Sequence, residues 1–244
     1  MRRRRKRTSV NWGPVLTFLL IVNVVVGVYY SRMTSIVKVR VEGAQLDDQT
    51  RIRAILQRIH SQPALQLNRR ITESAILEKS AVLKTEMTRN IFGRARLTVA
   101  YRRPVAKIAK LAGVALSREG VIFQTGESLS GLPILSPPEE ALKPSLTIAG
   151  PWRPGEVAGL ASELANFSDR QVVEIIVLSN GGLCLNIGSK FAVELGLPES
   201  LDAKVDYLRR QIENDPALLV SGQTLNLVSL EKPALRMGIE RRSK

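Results

Sequence analysis

Cysteine, histidine and aromatic side chains are all scarce in this chain of 244 residues, and each scarcity removes a class of function. A single cysteine, Cys184, rules out an internal disulfide, so the fold must be held by its core in any redox compartment. Its place between Leu183 and Leu185 in an apparent strand reads as a buried, inert thiol. The single histidine, His60, has no companions at the spacing a zinc site of the Cys/His type needs. It sits on or just past an amphipathic helix and reads as a surface or packing residue. Aromatics make up 5% of the chain, and acidic residues are outnumbered 22 to 36. The net charge is +14, of which six charges belong to Arg2-Arg3-Arg4-Arg5-Lys6-Arg7, leaving +8 for the rest. With few aromatics and a scattered excess of cations, no nucleic-acid partner is expected. An anionic membrane surface or cell-wall polymer is the more natural electrostatic neighbour.

Catalytic patterns are missing too. No serine lies in a Gly-x-Ser-x-Gly elbow. Asn180-Gly181-Gly182 lacks the following Lys and Ser/Thr of a phosphate-cradling loop. Asp47-Asp48 and Glu139-Glu140 are adjacent on a cap and a loop, so they do not face each other across a substrate. The expectation is a protein that is not an enzyme and holds no cofactor or metal.

What is present begins with a long apolar run. Val10 to Tyr30 carries no charged residue, and the basic head precedes it. As a helix it would extend roughly 30 Å, the thickness of a bilayer core. Trp12 at one end and Tyr29 and Tyr30 at the other are placed as interfacial anchors in the lipid bilayer. The exit Val28-Tyr29-Tyr30-Ser31 is bulky, unlike a signal-peptide cleavage site, so a retained span is the preferred reading. Six basic residues before the span against Arg32 just after it predict a cytoplasmic N-terminus and an extracytoplasmic remainder. Asn23 is a polar residue inside the span and a candidate contact to a partner helix.

After the span, Val37, Val39 and Val41 alternate with Lys38, Arg40 and Glu42 as a half-buried strand. Asp47 or Asp48 is placed to cap a helix with Ile52, Ile55, Leu56 and Ile59 on one face, stopped by Pro63. A second short helix over Ile71 to Lys79 has Ile71, Ala75 and Ile76 as its apolar positions. An extended stretch, Val82 to Thr88, precedes a strand with Leu97, Val99 and Tyr101 on one face. Arg103-Pro104 reads as a boundary, because proline lacks a donor and restricts its predecessor.

Beyond it, Ala106 to Leu111, Gly113 to Leu116 and Val121-Ile122-Phe123 read as short strands, with a turn at Ser117-Arg118-Glu119-Gly120. Ser136 to Pro154 reads as a loop. A helix from Glu156 carries Val157, Leu160, Ala161 and Leu164, and Val172 to Leu178 is a strand. Asn180-Gly181 suggests a type I′ hairpin turn into Leu183, Leu185 and Ile187. Phe191, Val193 and Leu195 alternate. Ser200 is placed to cap a helix with Leu201, Val205, Leu208 and Ile212. Thr224 to Leu230 reads as extended, and Ala234 to Ile239 as a last strand.

Taken together, Val37-x-Val39-x-Val41-Glu42-Gly43, two helices, and a strand ending Arg102-Arg103-Pro104-Val105-Ala106 resemble a POTRA domain. Behind a single basic-headed span the arrangement resembles the FtsQ/DivIB family of bacterial division proteins. Leu132-Pro133-Ile134-Leu135 and the Leu195-Gly196 lead-in to the helix at Lys204 are similar to segments of that family's β domain. Ser117 stands where the family usually carries Asp. The implied fold is α+β: basic head 1–9, transmembrane helix 10–30, POTRA domain (β-α-α-β-β) 34–103, a mainly antiparallel β domain with two helices 104–240, and basic tail 241–244.

The resemblance also implies a function. It predicts a single-pass cytoplasmic-membrane scaffold at the division septum that recruits FtsB/DivIC-like and FtsL-like coiled-coil partners. It carries partner binding onto Leu235, Met237 and Ile239 of the last strand, with Ser229 and Leu230 before it. The alternatives for these residues are completion of the core and, for the whole chain, a POTRA-containing secretion or transport component.

Overall fold

A computed structural model describes residues 12–30, 35–90, 93–137, 152–168, 171–188 and 190–237. The first helix, α1 (Trp12–Tyr30), is apolar all round and buries none of its residues. Its 19 residues rise about 28 Å, long enough to cross a bilayer core. Val10 and Arg32 lie outside the described residues. Inside α1, Asn23 Nδ2 donates to Leu19 O at 3.1 Å and Thr17 Oγ1 to Gly13 O at 3.0 Å. Asn23 therefore satisfies part of its amide within its own helix, without a second one.

The rest is α+β and divides between Tyr101 and Arg102 into two units. The first, after α1, runs β1 (Lys38–Glu42), α2 (Gln49–Gln57), α3 (Arg69–Leu77), β2 (Val82–Arg89) and β3 (Arg94–Tyr101). Its sheet has the order β1-β3-β2, with β1 parallel and β2 antiparallel to β3. Strand alternation sends Met87, Leu97 and Val99 inward onto Ile52, Leu56, Ile59 and Ile76. Gly43 closes β1 at φ +79°, where a Cβ would stand 2.3 Å from Val99 O. Only glycine fits there, which explains the Glu42-Gly43 ending.

Two expectations for this unit fail. The side chain of Asp48 does not cap α2. Leu46–Asp48 forms a 3-10 turn that leads into the helix, Asp48 is itself helical (φ −95°, ψ −12°), and its carboxylate is buried instead. A cap needs an extended residue to aim its oxygen at the first amides. On α3 the buried face is Thr72 and Ile76, while Ile71 is 66% exposed. Thr72 and Ile76 are one helical turn apart and share a stripe, whereas Ile71 and Ala75 lie about 100° to the side.

The second unit holds β4 (Pro104–Ile108), β5 (Val114–Ser117), β6 (Ile122–Gln124), β7 (Ile134–Ser136), α4 (Pro154–Ser168), β8 (Val173–Val177), β9 (Leu183–Ile187), β10 (Phe191–Gly196), α5 (Leu201–Asn214), β11 (Gln223–Asn226) and β12 (Ala234–Met237). These strands form one sheet ordered β12-β11-β10-β9-β8-β7-β4-β5-β6. Pro104 is the first residue of β4, a position that needs no donated ladder bond. Ser117 Oγ accepts from Val121 N at 3.2 Å, so the serine does bond the turn that follows it. Glu139 and Glu140 lie outside the described residues.

The sheet is more mixed than expected, since β4–β7, β7–β8 and β10–β11 pair in parallel. For the last two pairs the cause is a helical connection. Helix α4 crosses from β7 to β8 and α5 from β10 to β11, and a helical crossover returns the chain in the same direction. Residues at alternate positions of β8, β9 and β10 join Val157, Leu160 and Leu164 of α4 and Val205 and Leu208 of α5 in one core.

The β8–β9 turn also departs from type I′. Gly181 N donates to Leu178 O at 2.9 Å and Leu178 N to Gly182 O at 2.8 Å. Of the loop residues only Gly181 (φ +81°) is left-handed, so this is a type I turn closed by a glycine bulge. Ser200, finally, caps nothing. Ser200 is left-handed at φ 53°, and its side chain makes no cap bond.

Candidate functional site

The sheet of the second unit ends at β6 on one side and β12 on the other. The two edges differ in what they present. At β6, Ile122 and Phe123 are buried and the strand is three residues long. At β12, Leu235 is 50% and Met237 88% exposed, and Arg236 between them is exposed as well. This strand pairs only with β11, in the register Asn226↔Ala234, Leu225↔Leu235, Thr224↔Arg236 and Gln223↔Met237. Among the described residues, no strand lies on its other side. Leu235 and Met237 share the face of Leu225, which is 5% exposed. That face is closed at β11 and open one strand further out.

The sequence builds this edge in three steps. Gly196 (φ +71°) ends β10 with a bulge, the register slipping between Glu194 and Gly196. The neighbouring carbonyls are taken by Lys204, which is 5% exposed and donates from Nζ to Leu195 O at 2.6 Å and Leu197 O at 3.4 Å. Burial pulls the Lys204 pKa below the usual lysine value, against the opposing charge of Glu199. Next, β11 is aligned on β10 by Asn226 Nδ2 donating to Glu194 Oε2 at 3.1 Å and Leu227 N to Glu194 O at 2.8 Å. Asn226 Oδ1 then accepts from Val228 N at 3.0 Å, an Asx turn that stops the strand. The strand expected over Thr224 to Leu230 therefore ends at Asn226. Ser229 is exposed and Leu230 half-buried in the turn to β12, so neither lies on a strand. The exposed Pro233 then leads into β12.

Of the residues singled out for partner binding, the structure brings Leu235 and Met237 together on the open edge. Ser229 and Leu230 are placed in the preceding connection, and Ile239 lies outside the described residues. Core completion is excluded for Met237 within this unit by its exposure. Val220 (69% exposed), at the end of a 3-10 turn, and Val228 (55%) flank β11 and escaped the sequence reading, Val228 because a valine in an extended run reads as core. Cys184 is half-buried on β9, not fully buried. Trp12 and the Tyr29–Tyr30 pair, edge-to-face at 5.1 Å, stand at opposite ends of α1 and are all exposed.

The first unit holds a polar cluster that sequence reasoning missed. Asp48 is 4% exposed, with Lys79 Nζ 2.6 Å from its Oδ1. The Tyr101 hydroxyl neighbours this carboxylate and accepts from Gln45 N at 3.3 Å. Burial alone would raise the Asp48 pKa, but Lys79, the Tyr101 hydroxyl and the Arg51 charge together hold it below the usual value. Burial and the adjacent carboxylate push the Tyr101 phenol up to about 12. Elsewhere, Glu163 on α4 is raised by burial and by Asp202 and Asp206 of α5. His60 is exposed, its Nδ1 3.0 Å from Ser61 Oγ. Among the described residues, no group of three or more His, Cys, Asp or Glu is arranged to hold a metal ion. No known family model matches the chain, and no curated protein matches it either.

Proposed function

We propose that the chain is a membrane-anchored, non-catalytic scaffold of the FtsQ/DivIB type. It would hold its two units outside the cytoplasmic membrane and gather division partners at the β12 edge. The observation that carries this reading is the open edge itself. A strand with unpaired backbone groups and two apolar side chains on one face is suited to accept a partner's strand. Backbone bonds would supply affinity, and the sites beside Leu235 and Met237 would supply selectivity. Lys232 and Arg236, both exposed, discourage indiscriminate pairing at this edge.

Two further features support the family. The element order β1-α2-α3-β2-β3 in the first unit is the one expected for a POTRA-like domain on this reading, and it follows an apolar helix with a basic head. The partners expected on this reading are FtsB/DivIC-like and FtsL-like coiled-coil proteins, and the outcome is control of septal peptidoglycan synthesis.

The test is co-purification from solubilised membranes, combined with depletion in dividing cells. The reading expects a fusion concentrated at the septum, filamentation on depletion, and a small membrane-anchored coiled-coil protein in the complex that is lost with Leu235→Asp/Met237→Asp. A fusion spread evenly around the envelope, with normal division after depletion, contradicts it.

A further inference from the structure

The sheet of the first unit turns one face toward α2 and α3 and leaves the other open. At one end the open face is dominated by cations. The β1–β3 register sets Lys38 directly across from Arg94, and Arg40 directly across from Arg96. All four side chains are exposed, Arg40 at 73% and Arg96 at 57%. Thr88 of β2 continues the row of Arg40 and Arg96. Glu42 offsets part of this charge, its Oε1 lying 3.0 Å from Arg40 Nε and 3.5 Å from Arg96 Nε. Among the described residues, neither Lys38 nor Arg94 has a carboxylate within ion-pair distance. Like charges directly opposite each other work against strand pairing, and the Lys38–Arg94 pair carries that cost with no described carboxylate to offset it.

We infer that this cationic face docks on the anionic phospholipid headgroups of the bilayer that α1 enters. The inference rests on α1 spanning the membrane and does not depend on what binds β12. The tether supplies the reason for choosing lipid over other polyanions. Lys38 follows Tyr30 by eight residues, so β1 starts no more than about 28 Å from the end of the helix even with the link fully extended. The face is thus permanently held at high effective concentration near the surface.

Each basic side chain close to an anionic leaflet favours the bound state about five-fold. Four such residues less the charge of Glu42 give a docked population favoured on the order of 100-fold over that on neutral lipid. Salt near 1 M shrinks the screening length to about 3 Å and removes most of that preference.

The experiment uses the full chain in vesicles, with Thr88→Cys as the labelling site and Cys184→Ser to leave no other thiol. Energy transfer from this label to a headgroup acceptor is compared in phosphatidylcholine vesicles and in vesicles about one third phosphatidylglycerol. Strong transfer only with phosphatidylglycerol, lost at high salt and in Arg94→Glu/Arg96→Glu, supports the inference. Circular dichroism checks that variant's fold, Lys38→Gln/Arg94→Gln is the milder alternative, and the salt titration needs no charge variant at all.

Equal transfer in both vesicle types, or transfer indifferent to salt, overturns the inference. So does capture of soluble polyphosphate by the face with no preference between the two vesicle types, which would assign the cations to a free polyanion. Alkaline extraction of the same vesicles separates the two premises. Protein that washes off refutes the span, whereas anchored protein without lipid-dependent transfer refutes the docking alone.

Discussion

Leu225 and Met237 lie on one face of the same strand pair, yet truncating them should have opposite consequences. Leu225 is 5% exposed, and replacing a buried leucine by alanine costs about 3 kcal/mol, roughly a 150-fold loss in the folding equilibrium of the second unit. Met237 is 88% exposed, so Met237→Ala removes almost no native contact and should change stability by less than about 0.5 kcal/mol. In a partner complex the ranking inverts. Covering Met237, and the exposed half of Leu235, adds about 1 to 2 kcal/mol for the first and about 1 for the second. Leu235→Ala/Met237→Ala should therefore weaken the complex by about 30- to 150-fold while leaving the fold intact. Denaturant unfolding of the purified chain in detergent reads the first quantity, and titration with the purified partner reads the second. The reasoning is refuted if Met237→Ala unfolds as readily as Leu225→Ala, since β12 would then be core. It is equally refuted if the double variant binds as tightly as the parent.

Four further expectations follow, three from polar groups and one from a glycine. Asp48→Asn should destabilise the first unit by about 2 kcal/mol at neutral pH, because it breaks a buried pair with Lys79. The folded pKa of Asp48 is depressed, so the carboxylate's contribution is present above the unfolded value near 3.9 and fades as pH falls through the lower folded value. Unfolding curves of the two proteins should therefore converge in acid. Tyr101 runs the other way. Its folded pKa of about 12 against an unfolded value near 10 means stability is complete below about pH 10 and is lost toward pH 12, by up to roughly 3 kcal/mol. Phenolate absorbance of the parent minus Tyr101→Phe reads that titration. Lys204→Ala should cost about 1 to 3 kcal/mol in thermal unfolding of the second unit, by stripping the donor from Leu195 O. Gly43→Ala should cost at least about 2 kcal/mol, because its Cβ would stand 2.3 Å from Val99 O at a left-handed φ.

Periodicity made much of the architecture legible. The apolar run gave α1, and the alternation of Val37, Val39 and Val41 and of Leu97, Val99 and Tyr101 marked β1 and β3. Alternation equally located β8, β9 and β10, whose inward residues form the core. What stayed hidden depended on conformation or on distant contacts. A carboxylate in an αR residue cannot cap, so Asp48 turned inward to Lys79, 31 residues away. The length of β11 depended on the Asx turn at Asn226, which competes with the ladder over one residue. A lysine on an amphipathic helix normally faces water, and only the bulge at Leu195-Gly196 explains why Lys204 does not. The parallel β7–β8 and β10–β11 pairings were implicit in the placement of α4 and α5 between strands, since a helix in a connection makes a crossover. For the candidate site, sequence located Leu235 and Met237 but left their exposure undecided, because an apolar residue in an edge strand alternates just as a core residue does.

The measurement that bears most directly on the scaffold reading is photo-crosslinking in dividing cells from a reactive side chain placed at Met237, with Glu174 on β8 as the control position. The account predicts a discrete adduct from position 237 with a small, single-span coiled-coil protein, made outside the cytoplasm and absent from position 174. No adduct at 237, or the same adduct from both positions, would contradict it.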